Sequence, residues 1–132
     1  FMGPERASRM SPLRSAEALG IRYTLHADTP VTPMEPMRIV WAAVNRTTTS
    51  GKVIGPEQTV DAQEALRAIT IDAAYQTFQE DEKGSIEAGK LADFVILSAN
   101  PIETAPDELD DITVLETVIG GKTVFRRNSG LD

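Results

Sequence analysis

Cysteine is absent from the chain. That excludes disulfides and thiolate-held metals, and it fits a reducing compartment; the expected location is cytoplasmic. Histidine is nearly absent as well, with His26 the single example. No apolar run approaches the length of a membrane span, so no membrane is expected as a partner. The opening FMGPERASRM lacks the apolar core of a signal peptide. Phe1 precedes the first methionine, so the sequence is not expected to be a natural full-length product; a trimmed chain, a tag remnant and a fragment are the alternatives. There is no Lys/Arg block. Thirteen Lys and Arg stand against 20 Asp and Glu, a formal charge of −7. An acidic surface of this kind disfavours nucleic acid. Internal repeats and low-complexity tracts are also missing.

What remains is an ordinary globular composition, with 41% apolar and 25% charged residues over 132 positions. The length allows one domain with a modest core. Pro4 to Met10 is a short helical candidate. Ser11-Pro12 reads as an N-cap followed by a first-turn proline, predicting a helix from Pro12 to Leu19 that Gly20 stops. Ile21 to Ala27 is predicted as a strand. Ile21, Tyr23, Leu25 and Ala27 share one face; Arg22, Thr24, His26 and Asp28 share the other. Met37 to Asn45 is a helix candidate with Met37, Val40, Trp41 and Val44 on one side, which places Trp41 in the core. Thr47 to Lys52 is a loop. Asp61 with Glu64 reads as a capping box starting a helix that carries Leu66 and Ile69. The β-branched run Ile69-Thr70-Ile71 weakens that helix, and Thr70 is expected to recap a second one to about Phe78. The last fifty residues are predicted to hold a turn at Ala88-Gly89 and a strand from Ala92 to Leu97. An acidic solvated loop with Asp107, Glu108, Asp110 and Asp111 follows, then a hairpin of Val114 to Ile119 and Lys122 to Arg126 about Gly120-Gly121. Helix, strand, helices, then strands suggests the end of an α/β unit followed by a small β piece.

The segment YTLHADTPVTPMEP, residues 23–36, carries the chemistry. In parallel α/β folds, ligands sit beyond the C-terminal strand ends. A carboxylate there, Asp28, can bind a divalent metal or take a proton from water. Pro30 cannot donate to a ladder, so the strand must end. Competing readings are a turn-forming aspartate and a structural, hydrogen-bonded His26. Pro30, Pro33 and Pro36 also match a P-x-x-P ligand, but the flanks lack an exposed basic run.

GSIEAGKLADFVILSANP, residues 84–101, resembles the C-terminal signature of metal-dependent amidohydrolases. ETVIGGKTVFR, residues 116–126, resembles their closing hairpin. TLHADTPV, residues 24–31, resembles the end of the eighth barrel strand in the amidohydrolase-3 (YtcJ-like) branch, and residues 3–16 and 41–58 are similar to that branch too. The resemblance implies an α/β fold: residues 1–80 as the C-terminal part of a (β/α)8 metallo-hydrolase barrel, and residues 81–132 as the last strands of a small β-sandwich. It implies hydrolysis of C–N bonds in small amides by water activated on one or two divalent metals, often zinc. Asp28 would then be catalytic and a metal ligand, with His26 and Thr29 lining the pocket. The family's other metal ligands have no counterpart here, since those are mostly histidines. About three protein ligands make a catalytic zinc site, so the chain alone is expected to bind no metal and to be inactive. Its expected partners are the missing N-terminal part of the enzyme and further copies of itself. The rival reading is a non-catalytic binding or assembly module derived from the amidohydrolase tail.

Overall fold

The computed structural model describes residues 3–128. Five helices precede a three-stranded sheet. The helices are α1 (Pro4–Ser8), α2 (Leu13–Ala18), α3 (Pro36–Asn45), α4 (Ala62–Ile69) and α5 (Ile71–Gln76). The strands are β1 (Phe94–Leu97), β2 (Val114–Ile119) and β3 (Lys122–Arg126). No helix among the described residues is long and apolar enough to cross a membrane.

The core gathers on α3, whose Met37, Val40 and Ala43 are buried. Leu13, Val60, Ala65, Leu109 and Ile112 join them, and Trp41, Val44, Tyr23 and Leu25 pack around this cluster. Apolar residues at helical spacing thus form one stripe that meets α4 and the segment after β1. At the start of α4 both halves of the capping box form. The Glu64 N–H donates to Asp61 Oδ1 at 2.8 Å, and the Asp61 N–H donates to Glu64 Oε2 at 3.1 Å. These bonds satisfy two backbone donors that have no partner inside the helix.

The sheet is antiparallel in the order β1-β2-β3. Phe94 faces Val118 across the first ladder, and Glu116 faces Arg126 across the second. Gly120 and Gly121 both have positive φ, 56° and 75°, as a tight two-residue hairpin requires. Asp93 secures this turn, accepting the Gly120 N–H at 2.7 Å.

Several sequence expectations need correction. Ile21 to Ala27 is not a strand. A strand requires a neighbour to take its backbone N–H and C=O groups, and no other strand among the described residues lies beside it. Its alternation survives in part, because Tyr23 and Leu25 still turn to the core. The cap of α2 is Pro12, and Ser11 takes a left-handed φ of 48° instead. Thr70 does separate α4 from α5, but its hydroxyl donates back to the Leu66 carbonyl at 2.7 Å and caps nothing. The acidic stretch keeps Asp107, Glu108 and Asp111 exposed, as expected, but it is more regular than a loop. Pro106–Asp111 is a 3-10 turn that buries Leu109, and Asp110 Oδ2 accepts from Arg38 Nη1 at 2.7 Å.

Candidate functional site

The three residues singled out in the sequence stand together at the turn that leaves the Ile21–Ala27 segment. Asp28 adopts φ 53°, a left-handed conformation that aspartate tolerates better than most residues. Its carbonyl accepts the Val31 N–H at 2.8 Å, closing a turn over residues 28–31. The Thr32 hydroxyl donates to the Ala27 carbonyl and braces the same turn. The Asp28 N–H donates to His26 Nδ1 at 3.1 Å. His26, Asp28 and Thr29 are all exposed. Asp28 is held here through its backbone, on a face open to a reactant.

A cleft of about 260 Å³ opens beside His26. Met10, Leu25, Ile39, Ala42 and Ile54 give it carbon-lined walls. Its rim is closed by a residue that the sequence did not reveal. Arg46 ends α3 with a left-handed φ of 51°. Its Nε donates to the Ile54 carbonyl at 2.8 Å, Nη1 to Ser11 at 2.9 Å and Nη2 to Met10 at 2.5 Å. One guanidinium therefore ties the chain before α2 to the loop after α3. Burial holds its pKa below the ordinary arginine value. Gly55 makes the approach possible. It has φ 58°, and a Cβ there would stand 2.2 Å from the Ser8 carbonyl oxygen. The signal in the sequence was only an arginine at a helix end, a common and unspecific feature.

Two other openings lie away from this turn. A larger groove of about 720 Å³ runs between α5 and the sheet. Its carboxylate, Asp93, is already engaged by the hairpin turn. A charged cleft of about 380 Å³ holds Asp72, with Arg22 and Arg67 each 3.9 Å from its Oδ1. Arg22 also lies over the Tyr75 ring, 4.1 Å from its centre, and Thr24 Oγ1 donates to Gln76 Oε1 at 2.9 Å. These contacts tie the 21–28 segment to α5. Burial raises the nearby Tyr23 phenol above its ordinary pKa. Size alone would favour the groove, but chemistry favours the turn that carries His26 and Asp28.

Metal ligation can be tested on the donors present. His26 and Asp28 supply one imidazole and one carboxylate, and Nδ1 of His26 is occupied by the Asp28 amide. Among the described residues, no three His, Cys, Asp or Glu side chains converge as a metal site would need. These donors do not make a complete metal site.

Comparison with known proteins bears on this geometry. Residues 1–125 match the model of the Amidohydro_3 amidohydrolase family. That family generally uses divalent metals. The N-substituted formamide deformylase of Arthrobacter pascens is 38% identical over 119 residues, 90% of this chain and 22% of that protein. The YtcJ protein of Bacillus subtilis (strain 168) is 25% identical over 130 residues, 96% of this chain and 25% of that protein. A crystal structure of an amidohydrolase from Thermotoga maritima MSB8 superposes with a TM-score of 0.66 at 26% identity, covering 87% of this chain and 26% of that one. The chain thus spans about a quarter or less of the length of these relatives.

Proposed function

Because the chain belongs to the amidohydrolase family, we propose that it is the C-terminal part of a metal-dependent enzyme that hydrolyses C–N bonds in small non-peptide amides. Residues 1–80 would close a (β/α)8 barrel, and residues 81–132 would supply the last strands of a β-sandwich. The order of helices and sheet supports this, as does the likeness to the Thermotoga maritima amidohydrolase. Identity to the Arthrobacter pascens deformylase makes N-substituted formamides the substrate class to try first.

The observation that carries the proposal is the turn at Asp28. Its left-handed backbone and the His26 contact fix where the residue stands, and the side chain is exposed at the end of an extended segment. A carboxylate so placed acts as a general base, taking a proton from the attacking water and returning it to the leaving nitrogen. His26 positions it through the backbone, and Thr29 lines the approach. Asp28 would also be this chain's contribution to the metal site; the remaining ligands would come from the rest of the enzyme. We therefore place no reaction step on a metal in this chain, and the 132 residues alone would be inactive.

The test uses the full-length protein that contains this chain. Turnover of N-substituted formamides should fall to background after chelation and return with an added divalent metal. Full turnover in the chelated protein would remove the metal from the proposal. Absence of any C–N hydrolysis would remove the reaction.

A further inference from the structure

The cleft beside His26 extends the candidate site away from the reacting bond, and its walls state what could fill it. They are largely carbon, with Met10, Leu25, Ile39, Ala42 and Ile54 around about 260 Å³. The polar groups of its lining, Ser11, His26 and Arg46, are few, and two of them are partly engaged. Nδ1 of His26 accepts the Asp28 amide, and each nitrogen of the Arg46 guanidinium donates to a carbonyl. A charged ligand group drawn in against the carbon walls would lose water that those walls cannot replace, which is unfavourable. An uncharged apolar group meets no such penalty. An apolar cavity of about 150 Å³ holds benzene, so this cleft has room for one ring or a short alkyl chain. His26 is both a wall of the cleft and the acceptor of the Asp28 backbone N–H, so the cleft adjoins the turn that carries Asp28.

We propose that this cleft binds the apolar nitrogen substituent of a small uncharged amide, and that Ile39, Ala42 and Ile54 set its preferred size. The proposal rests on Asp28 marking the reacting end. A formamide carries only hydrogen on its acyl carbon, so the nitrogen substituent is the part that needs a pocket. Burying one methylene should tighten binding about two- to fourfold, the upper figure applying to complete burial.

The experiment is binding to the chelated full-length protein that contains this chain, read by the methyl NMR signals of Ile39, Ala42 and Ile54. The probes are N-methylformamide, N-butylformamide and the charged N-(carboxymethyl)formamide. N-butylformamide should shift these methyls saturably and bind at least eightfold more tightly than N-methylformamide. The charged probe should bind more weakly than the butyl one. Ala42→Phe should fill the cleft and remove the butyl preference. Met10→Ala, at a half-exposed position, should widen the cleft and shift the preference towards longer chains. Saturable shifts confined to Val95, Val118 or Ile119 in the other groove would overturn the proposal, as would absence of saturable shifts or equal binding of the charged probe. Because the readout is binding, failure here is separate from failure of hydrolysis in the full-length enzyme.

Discussion

Leu109 offers the sharpest check on how the two halves of this chain hold together. It is 1% exposed, although Asp107, Glu108, Asp110 and Asp111 surround it in sequence. Its side chain joins the core cluster of α3 from the 3-10 turn after β1. Truncation to alanine removes three carbons. At about 0.8 kcal/mol for each, the transfer loss is about 2.4 kcal/mol. The cavity left behind raises the cost towards about 3–4 kcal/mol, within the range seen for buried leucines. Native domains are stable by about 5–15 kcal/mol, so Leu109→Ala should lose a large share of the total. For a chain of this length the midpoint of thermal unfolding should fall by roughly 10 °C or more. The control is Glu108→Ala, an exposed neighbour on the same turn, expected to change stability by less than about 0.5 kcal/mol. Urea denaturation followed by circular dichroism measures both. Equal midpoints for the two variants would refute the packing of this turn on α3.

Gly55→Ala should destabilise by about 2 kcal/mol, through a left-handed φ and a Cβ driven against the Ser8 carbonyl; an unchanged urea midpoint would contradict the Arg46 clamp built around it. Glu116 has its pKa lowered, first by the hydrogen bond from Arg126 and then by that from Thr123. A depressed folded pKa contributes stability above the unfolded value, and that contribution fades as the pH falls below about 4.3 through the folded value. Glu116→Gln should therefore flatten the acid limb of the stability profile; an identical limb in both proteins would remove the pair from the account. The isolated chain should also associate, because β1 and β3 present free edges and Phe94, Val95, Ile96 and Phe125 are exposed. Light scattering should find a dimer or larger, and a cooperatively folding monomer of 14.3 kDa would contradict this.

Local chemistry was legible in the sequence. The Asp61/Glu64 box, the Gly20 stop and the Gly120-Gly121 hairpin each depend on residues a few positions apart. What depends on distant partners was not. Ile21 to Ala27 has the alternation of a strand, yet a ladder needs a second strand that no local pattern supplies. Leu109 was hidden among four acids, because its burial is decided by α3 (Pro36–Asn45), far earlier in the chain. At the candidate site, His26 and Asp28 were legible as residue types with the right spacing. The left-handed turn and the bond to Nδ1 were not, because they depend on backbone angles that composition leaves open. Arg46 was missed for a similar reason: its three acceptors lie on two loops on either side of α3.

The central claim is that Asp28 is the catalytic carboxylate of a C–N hydrolase. The direct measurement is turnover of an N-substituted formamide by the full-length enzyme carrying Asp28→Asn, alongside its thermal unfolding. Asparagine keeps the size and the left-handed tendency of the residue but loses the basic carboxylate. The account predicts an unchanged unfolding midpoint and a fall in kcat of about a hundred- to ten-thousand-fold. A kcat close to that of the unaltered enzyme would make Asp28 a turn residue and contradict the account.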